Sequence, residues 1–252
     1  MARKLVIGNW KLNGSFAFNQ ALLNDLARRW PVHPNLDMVV CPPFPFLAQA
    51  FTQLAGSAVL LGSQDVSDHS SGAYTGEVSA GMLTEFGVRY AIVGHSERRA
   101  RFHESDGLIA GKAAAALAAG IVPIVCIGET LVEHDAGHTL AVLQRQLSAV
   151  MERLPSTLLS RVALAYEPLW AIGSGKSAEP ATVQKVHSFL RGVLAQVDLA
   201  SAADVPILYG GSVKASNAAE YAAQRDVDGV LVGGASLKAQ EFLDIGAGFL
   251  PR

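Results

Sequence analysis

Cysteine is scarce in this chain of 252 residues, which carries only Cys41 and Cys126, in separate apolar segments. Two cysteines so far apart do not form the disulfide framework of a small secreted domain, nor the closely spaced thiols of a metal cluster. This usage is typical of a reducing compartment. We therefore expect a cytoplasmic protein with no metal site and no cofactor held by cysteine.

An excess of charge of one sign is also lacking. The chain has 20 Lys and Arg residues against 22 Asp and Glu residues, a formal net charge of −2. Such a balance provides no general attraction to nucleic acid or to an anionic membrane surface. An anionic ligand would have to be held by local groups.

Long hydrophobic runs are missing as well. No apolar stretch approaches the roughly 18 residues of a membrane span, and the apolar part of residues 1–10 is too short for a signal peptide. Half of the residues are nevertheless apolar and 17% are charged, which excludes a disordered chain and allows a large core. We expect one domain over residues 1–252, a length typical of a (β/α)₈ barrel.

Short apolar, β-rich segments alternate with longer helix-like segments along the whole chain. Strict alternation predicts an α/β fold with a parallel sheet, and eight units in about 250 residues favour a closed single-domain (β/α)₈ barrel with eight parallel strands over an open doubly wound sheet. The predicted strands are residues 5–10, 38–41, 59–62, 90–94, 122–127, 162–166, 206–209 and 229–232, and the predicted helices include 16–29, 108–119, 140–154, 181–197 and 215–224.

Polar and glycine residues follow these strands at their carboxyl ends. In a barrel those ends meet on one face, where the active site forms. A base, an electrophile, a cation and two glycine pairs would therefore converge. The residues in question are Asn9 and Lys11, Gln64, His95 and Glu97, Cys126, Glu167, Gly210 with Gly211, and Gly233 with Gly234.

Residues 166–178 read YEPLWAIGSGKSA and place Glu167 at the end of the sixth strand. Pro168 blocks direct entry into a helix, so residues 169–171 can form a rigid flap. Residues 173–175 supply glycine at the opposite hinge and free backbone N–H groups. A loop of this kind excludes water and closes over a phosphate. The alternative is a structural loop with an exposed tryptophan.

Residues 94–99 read GHSERR, so His95 leads from a strand into a predicted helical turn at Ser96 and Glu97. The positive end of a helix dipole disfavours an imidazolium, which suits a neutral hydrogen-bond donor. Lys11, in the segment NWKLNG, offers an ammonium with Glu97 as a candidate partner. Taken alone, a structural histidine and a solvated lysine are the commoner roles of such residues.

Two glycine pairs, in YGGSV at 209–213 and VGGAS at 232–236, each follow a strand and precede a helix. Paired glycines let backbone N–H groups approach a ligand, and barrels often bind a phosphate after strands seven and eight. Cys126 has apolar neighbours, and the sequence places no imidazole next to it. We interpret Cys126 as part of the site wall and not as a nucleophile.

Taken together, seven motifs in this order resemble the triosephosphate isomerase family over essentially the whole chain. The flap segment with Glu167, followed by the two glycine pairs, is the most specific part of the resemblance. The motifs are NWKLNG near residue 10, GAYTGEVSAGML at 72–83, GHSERR at 94–99, CIGET at 126–130, AYEPLWAIGSGK at 165–176, YGGSV at 209–213 and VGGAS at 232–236.

The resemblance implies a TIM barrel that interconverts dihydroxyacetone phosphate and glyceraldehyde 3-phosphate without a cofactor, in glycolysis and gluconeogenesis. It also supplies a division of roles that the residues alone do not. Glu167 is the expected base and His95 the expected electrophile. The remaining implied roles are substrate contact by Asn9 and Lys11, phosphate contact by Gly173, Ser212, Gly233 and Gly234, and support by Ser96, Glu97, Cys126 and Thr75.

The chain departs slightly from the family pattern. Ser174 and Ser177 stand where threonine is usual in the flap, and Leu12 where methionine is common. These changes can shift flap populations modestly, but they remove no catalytic group.

Residues 65–79 form the longest stretch without a helix or strand pattern, and loops of that length in a compact barrel are usually functional or disordered. The resemblance implies a homodimer in which this loop docks beside the first strand of a second copy. Thr75 would then support Asn9 and Lys11 across the interface. A mobile surface loop is the alternative.

Two other functions fit parts of the pattern. One is a Schiff-base aldolase with Lys11 as nucleophile, which needs a desolvated, uncharged amine. The other is a non-catalytic sugar-phosphate-binding barrel, which needs the glycine pairs but not Glu167, His95 and Lys11. Borohydride trapping of a substrate on Lys11 would identify the aldolase, and lack of turnover in a coupled isomerase assay would identify the binding barrel. We expect a small phosphorylated triose as substrate, and no nucleic-acid or membrane partner.

Overall fold

The structure, a computed structural model, describes residues 2–171 and 177–250. Eight parallel strands in these ranges close into a barrel in chain order, so the predicted fold class is confirmed. The strands are β1 (Lys4–Asn9), β2 (Leu36–Cys41), β3 (Val59–Ser63), β4 (Tyr90–Val93), β5 (Val122–Ile127), β6 (Ala163–Tyr166), β7 (Ile207–Tyr209) and β8 (Gly229–Val232).

Helices surround this barrel and connect successive strands. Short 3₁₀ turns occur at Phe44–Phe46, Ser156–Arg161, Leu169–Ala171 and Gly234–Leu237. The α-helices are α1 (Phe16–Arg29), α2 (Leu47–Gln53), α3 (Ala80–Glu85), α4 (Ser96–Phe102), α5 (Asp106–Ala118), α6 (Leu131–Asp135), α7 (Thr139–Arg153), α8 (Pro180–Ala195), α9 (Leu199–Asp204), α10 (Ala215–Ala222) and α11 (Ala239–Gly248).

The predicted helices agree with the structure to within about two residues, and local signals explain their ends. Ser15 caps α1 by accepting from the backbone N–H of Phe18, and Gly120 follows the end of α5 with a φ of +80°. Helices α2, α3, α6, α9 and α11 were not among the predicted ones. The first four have five to seven residues, too few to show an amphipathic repeat, whereas α11 has ten.

The strands are buried on both faces, which explains why they do not alternate between polar and apolar residues. On β1, Leu5 and Ile7 belong to the cluster inside the barrel, whereas Val6 belongs to the layer between the strands and the helices. The described part of the chain contains no helix that is both long and apolar enough to cross a membrane.

The barrel closes where β1 meets β8, and this seam depends on a glycine. Leu5 is in register with Gly229, and a Cβ atom added at Gly229 would lie 1.8 Å from the carbonyl oxygen of Leu5. That separation is far shorter than a van der Waals contact. The carbonyl oxygen belongs to the backbone, so it cannot rotate away. Any side chain at this position must therefore push the two strands apart.

We expect Gly229→Ala to lower the free energy of unfolding by about 3 kcal/mol, because overpacking here is relieved only by backbone displacement. Equilibrium urea unfolding followed by circular dichroism measures the change. Gly192→Ala on α8 is the matched control, because a Cβ atom there meets nothing within 4 Å. It should stabilise the protein by up to about 1 kcal/mol. Equal stability of the wild type and Gly229→Ala would contradict this account of the seam.

Candidate active site

A cavity of about 370 Å³ opens at the carboxyl ends of the strands. It brings together residues that are distant in sequence, and most of them were predicted to meet on this face. Its lining includes Asn9, Lys11, His95, Glu167, Gly210, Gly211, Ser212, Gly233 and Gly234, and also Lys214, which the sequence analysis did not single out.

Glu167 is buried at the floor of this cavity, with 2% of its surface exposed. It follows β6 directly, and its backbone N–H donates to the carbonyl of Ile127 at 2.7 Å. Its carboxylate Oε2 accepts from the backbone N–H of Ser96 at 2.8 Å, and Oε1 lies 3.0 Å from Nε2 of His95. Both carboxylate oxygens are thus held by groups at the start of α4.

His95 caps the N-terminus of α4, and this position fixes its protonation pattern. Its Nδ1 accepts from the backbone N–H of Glu97 at 3.1 Å, so the lone pair lies on Nδ1 and the proton on Nε2. The Glu97 carboxylate is 3.8 Å from the same Nδ1 and would favour a proton there, but the shorter backbone contact dominates. His95 is therefore a neutral imidazole whose Nε2–H points at Glu167.

Lys11 follows β1 in a conformation unusual for a residue with a side chain. Its φ of +52° lies in the left-handed region, which costs about 1–3 kcal/mol and persists only when neighbours hold it. The Lys11 N–H donates to Oδ1 of Asn9 at 3.0 Å, and Nε2 of Gln64 donates to the Lys11 carbonyl at 2.9 Å. These contacts hold the backbone that carries the ammonium group into the cavity.

The ammonium of Lys11 forms an ion pair with Glu97, with Nζ 2.7 Å from Oε1. Partial burial acts to raise the pKa of Glu97, but the hydrogen bond and charge of Lys11 outweigh it, so the pKa lies below its ordinary value. Glu97 therefore stays ionised and holds the Lys11 ammonium at the cavity.

Glycine at the ends of β7 and β8 allows close approach of the backbone. A Cβ atom at Gly210 would lie 2.8 Å from Cγ of Glu167, and one at Gly233 would lie 3.4 Å from Cε of Lys11. Ser212 and Gly234 line the same cavity. Gly173, which was predicted to contact a phosphate, lies outside the described residues, as does Ser174.

Neither Cys126 nor Thr75 lines the cavity, and Cys126 lies fully buried against Glu167. Complete burial raises the pKa of the Cys126 thiol well above its ordinary value, and the negative charge of Glu167 raises it further. The thiol therefore stays protonated and is a poor nucleophile. Thr75 is exposed on the loop after β3 and does not line the cavity of its own chain.

Glu129 has a role that the sequence analysis missed. This wholly buried carboxylate accepts at Oε1 from the indole Nε1–H of Trp170 at 2.9 Å and from the Tyr166 hydroxyl at 3.1 Å. It thereby anchors the segment that continues from Glu167. A charged residue two positions after the apolar fifth strand, in the CIGET motif, was the available signal.

The family model described as "Triosephosphate isomerase" matches residues 4–248 of this chain. The chain belongs to the triosephosphate isomerase family. A protein named "Triosephosphate isomerase" from Thiobacillus denitrificans is 55% identical over 97% of this chain and 98% of its own. Proteins of the same name from Cupriavidus taiwanensis and Herminiimonas arsenicoxydans are 54% and 52% identical, and each alignment covers at least 97% of both chains. The predicted family resemblance is confirmed.

In this member of the triosephosphate isomerase family, we expect ¹⁵N NMR of labelled histidine to find Nδ1 of His95 unprotonated and Nε2 protonated. The reason is that Nδ1 accepts a backbone hydrogen bond while Nε2 faces a carboxylate. His138 is exposed and has no side-chain capping hydrogen bond, so it serves as the control and should show exchange between tautomers. A protonated Nδ1 at neutral pH would contradict the described contact with Glu97.

Proposed function

We propose that this protein interconverts dihydroxyacetone phosphate and D-glyceraldehyde 3-phosphate by proton transfer through an enediolate, without a cofactor. The observation that carries the proposal is a buried carboxylate, Glu167, lying 3.0 Å from the Nε2 of a neutral imidazole, His95. An ammonium group and two glycine turns complete the same cavity. The reaction is a step of glycolysis and gluconeogenesis.

Glu167 is the proposed base. It removes the proton from the carbon beside the substrate carbonyl and returns a proton to the neighbouring carbon. Burial keeps water away from the carboxylate and from the reactive intermediate. Because Ser96 and His95 hold both of its oxygens, one contact must be released before Glu167 can face the substrate.

His95 and Lys11 are the proposed electrophiles. Negative charge develops on the substrate oxygens during proton transfer, and donors already aimed at that position stabilise it without reorganising. The Nε2–H of His95 supplies one donor and the Lys11 ammonium a compact positive charge. Asn9, buried beside Lys11, orients that lysine and contacts the substrate.

The proposed phosphate site is formed by Ser212, Gly233 and Gly234, which line the same cavity as Glu167, with Gly173 as a further proposed contact. Glycine exposes backbone N–H groups that can donate to phosphate oxygens, and helix N-termini favour negative charge. Lys214, which lines the same cavity, adds a positive charge. A small phosphorylated triose carries both groups that such a cavity recognises, namely the phosphate and a carbonyl beside the carbon that loses a proton.

The two alternative functions are less well supported. A Schiff-base aldolase needs an uncharged lysine, but the Lys11 ammonium is ion-paired with Glu97 at 2.7 Å. A non-catalytic binding barrel would have no need of a carboxylate and an imidazole buried together. Membership of the triosephosphate isomerase family favours neither.

We propose, further, a homodimer assembled through the loop of residues 65–79. Residues 69–77 of this loop are exposed, yet internal contacts shape it, including a stack between His69 and Tyr74 with ring centroids 3.7 Å apart. A second cavity of about 700 Å³ lies beside the first and includes the exposed side chains of Leu12 and Phe102. It could receive the loop of another copy next to Asn9 and Lys11.

We also propose a cytoplasmic location. Both cysteines are buried and unpaired, as expected in a reducing compartment.

We expect Glu167→Asp to retain inhibitor binding but to lower kcat about 100-fold, because shortening the side chain retracts the carboxylate by ~1 Å. A coupled assay of triose phosphate conversion, run on the wild type and the variant, measures this. Glu179→Asp, in the segment just before α8, is the control for a carboxylate outside the cavity and should leave kcat unchanged. An unaltered kcat in Glu167→Asp would remove Glu167 from the role of base.

We expect Thr75→Arg to weaken association and turnover in parallel, because a bulky charge in a tight interface is left unpaired. Light scattering and the coupled assay measure the two effects on the same samples. Thr182→Arg, at an exposed position on α8, is the matched control and should change neither. A monomeric variant with full kcat, or a wild type that is monomeric at micromolar concentration, would argue against the interface.

A further inference from the structure

The side chain of His134 stacks on Trp170. The two ring centroids are 4.6 Å apart and the ring planes are inclined by 28°. His134 lies on α6, and 40% of its side chain is exposed. Trp170 lies in the 3₁₀ turn Leu169–Ala171, three residues after Glu167. A partly exposed residue of a peripheral helix therefore contacts the segment that carries the proposed base.

Trp170 is held at its edge as well as on its face. Its indole Nε1–H donates to Oε1 of Glu129 at 2.9 Å, and Nδ1 of His134 lies 3.4 Å from the same oxygen. A lone pair on Nδ1 would repel that oxygen, so the arrangement favours a proton on Nδ1. Glu129 and His134 thus fix the indole from two directions.

Helix α6 owes its position to specific contacts. It has five residues, too few for a helix that is stable by itself. Thr130 and Glu133 form a capping box at its start, which orders the turn that presents His134. The Thr139 hydroxyl lies 3.5 Å from Nδ1 of His134 and further restricts the ring.

The position of Trp170 is coupled to that of Glu167 through a short, stiff segment. Pro168 restricts the backbone between them, and the Ala171 N–H donates to the Pro168 carbonyl at 2.8 Å. The Leu169 N–H donates to the Glu129 carbonyl at 3.2 Å. With the segment in this place, the Glu167 carboxylate accepts from Ser96 at 2.8 Å.

We propose that His134 is a positioning residue whose stack on Trp170 favours the arrangement in which Glu167 is bound to Ser96. The inference rests on the proposed function, because Glu167 must leave Ser96 to act as a base. An aromatic pair of this geometry changes the ratio of the Ser96-bound to the released arrangement of Glu167 by about 2- to 10-fold. Loss of the stack makes release of Glu167 easier by that factor.

The first test observes Trp170 in the ligand-free protein. The sequence has three tryptophans, so 5-fluorotryptophan labelling gives three ¹⁹F NMR signals, and Trp170→Phe assigns the relevant one. We expect His134→Ala to shift the Trp170 signal and leave the signals of Trp10 and Trp30 in place. His134→Phe keeps a ring to stack and should leave the signal close to its wild-type position.

His138→Ala is the matched control, because His138 is an exposed histidine four residues along the chain, at the start of α7. It should leave all three signals unchanged. If His134→Ala leaves the Trp170 signal unchanged, or if His138→Ala moves it equally, the stack does not position Trp170 and the proposal is wrong.

The second test links the stack to Glu167. The probes are 2-phosphoglycolate, whose carboxylate mimics the enediolate next to the base, and inorganic phosphate, which has no group that faces Glu167. A ligand that selects the released arrangement gains affinity when the competing arrangement loses population. We expect His134→Ala to bind 2-phosphoglycolate about 2- to 10-fold more tightly relative to phosphate, and His134→Phe to behave as the wild type.

The outcomes of the second test are separable from those of the proposed function. An unchanged binding ratio in His134→Ala would overturn the coupling to Glu167, even where the ¹⁹F signal moves. A wild type without isomerase turnover would overturn the proposed function, and the ¹⁹F comparison would still decide whether His134 positions Trp170.

Discussion

The arrangement of this site depends on the hydrogen-bond donors that offset the burial of one carboxylate. Glu167 is removed from water, and burial of an ionised group is costly unless hydrogen-bond donors replace the lost solvent. The donors are the backbone N–H of Ser96 and Nε2 of His95, both at the start of α4. The same helix start accounts for the neutral form of His95, because Nδ1 accepts from the backbone N–H of Glu97. One helix terminus thus serves two of the proposed catalytic groups.

Barrel closure supplies the remaining geometry. The carboxyl ends of β1, β4, β6, β7 and β8 meet at one face because every strand is parallel and the register closes between β1 and β8. Glycine is needed where another group approaches the backbone closely, as the Glu167 side chain does at Gly210 and the Leu5 backbone does at Gly229. A rigid frame of this kind can hold Lys11 in its left-handed conformation without rearrangement of the surrounding backbone.

Glu129 adds a second buried carboxylate, which anchors the segment on either side of Glu167. Tyr166 and Trp170 both donate to it, one from before and one from after the proposed base, so the base lies on a segment tied at two points. His134 covers one face of Trp170 from α6. We infer that residues outside the cavity set how readily Glu167 can change its contacts.

Much of the fold could be predicted from the sequence. Alternation of apolar strands with helices determined the closed eight-stranded barrel, since this pattern is local and is repeated along the chain. Seven motifs determined the family. The position of each candidate residue at a strand end determined that Asn9, Lys11, His95 and Glu167 would share one face. The short helices α2, α3, α6 and α9 escaped prediction because five to seven residues carry too little periodicity.

Most contacts within the site were decided by the tertiary structure. Glu167 and Ser96 are 71 residues apart, so no local pattern encodes their pairing. Glu97 was a candidate partner of Lys11, 86 residues away, because both residues follow strands that end on the same face of the barrel. The same reason applies to the contacts around Trp170. Glu129 anchors its indole and His134 stacks on its face, although both residues are distant from it in sequence. Such contacts exist only after strands distant in sequence have been brought side by side by closure of the barrel.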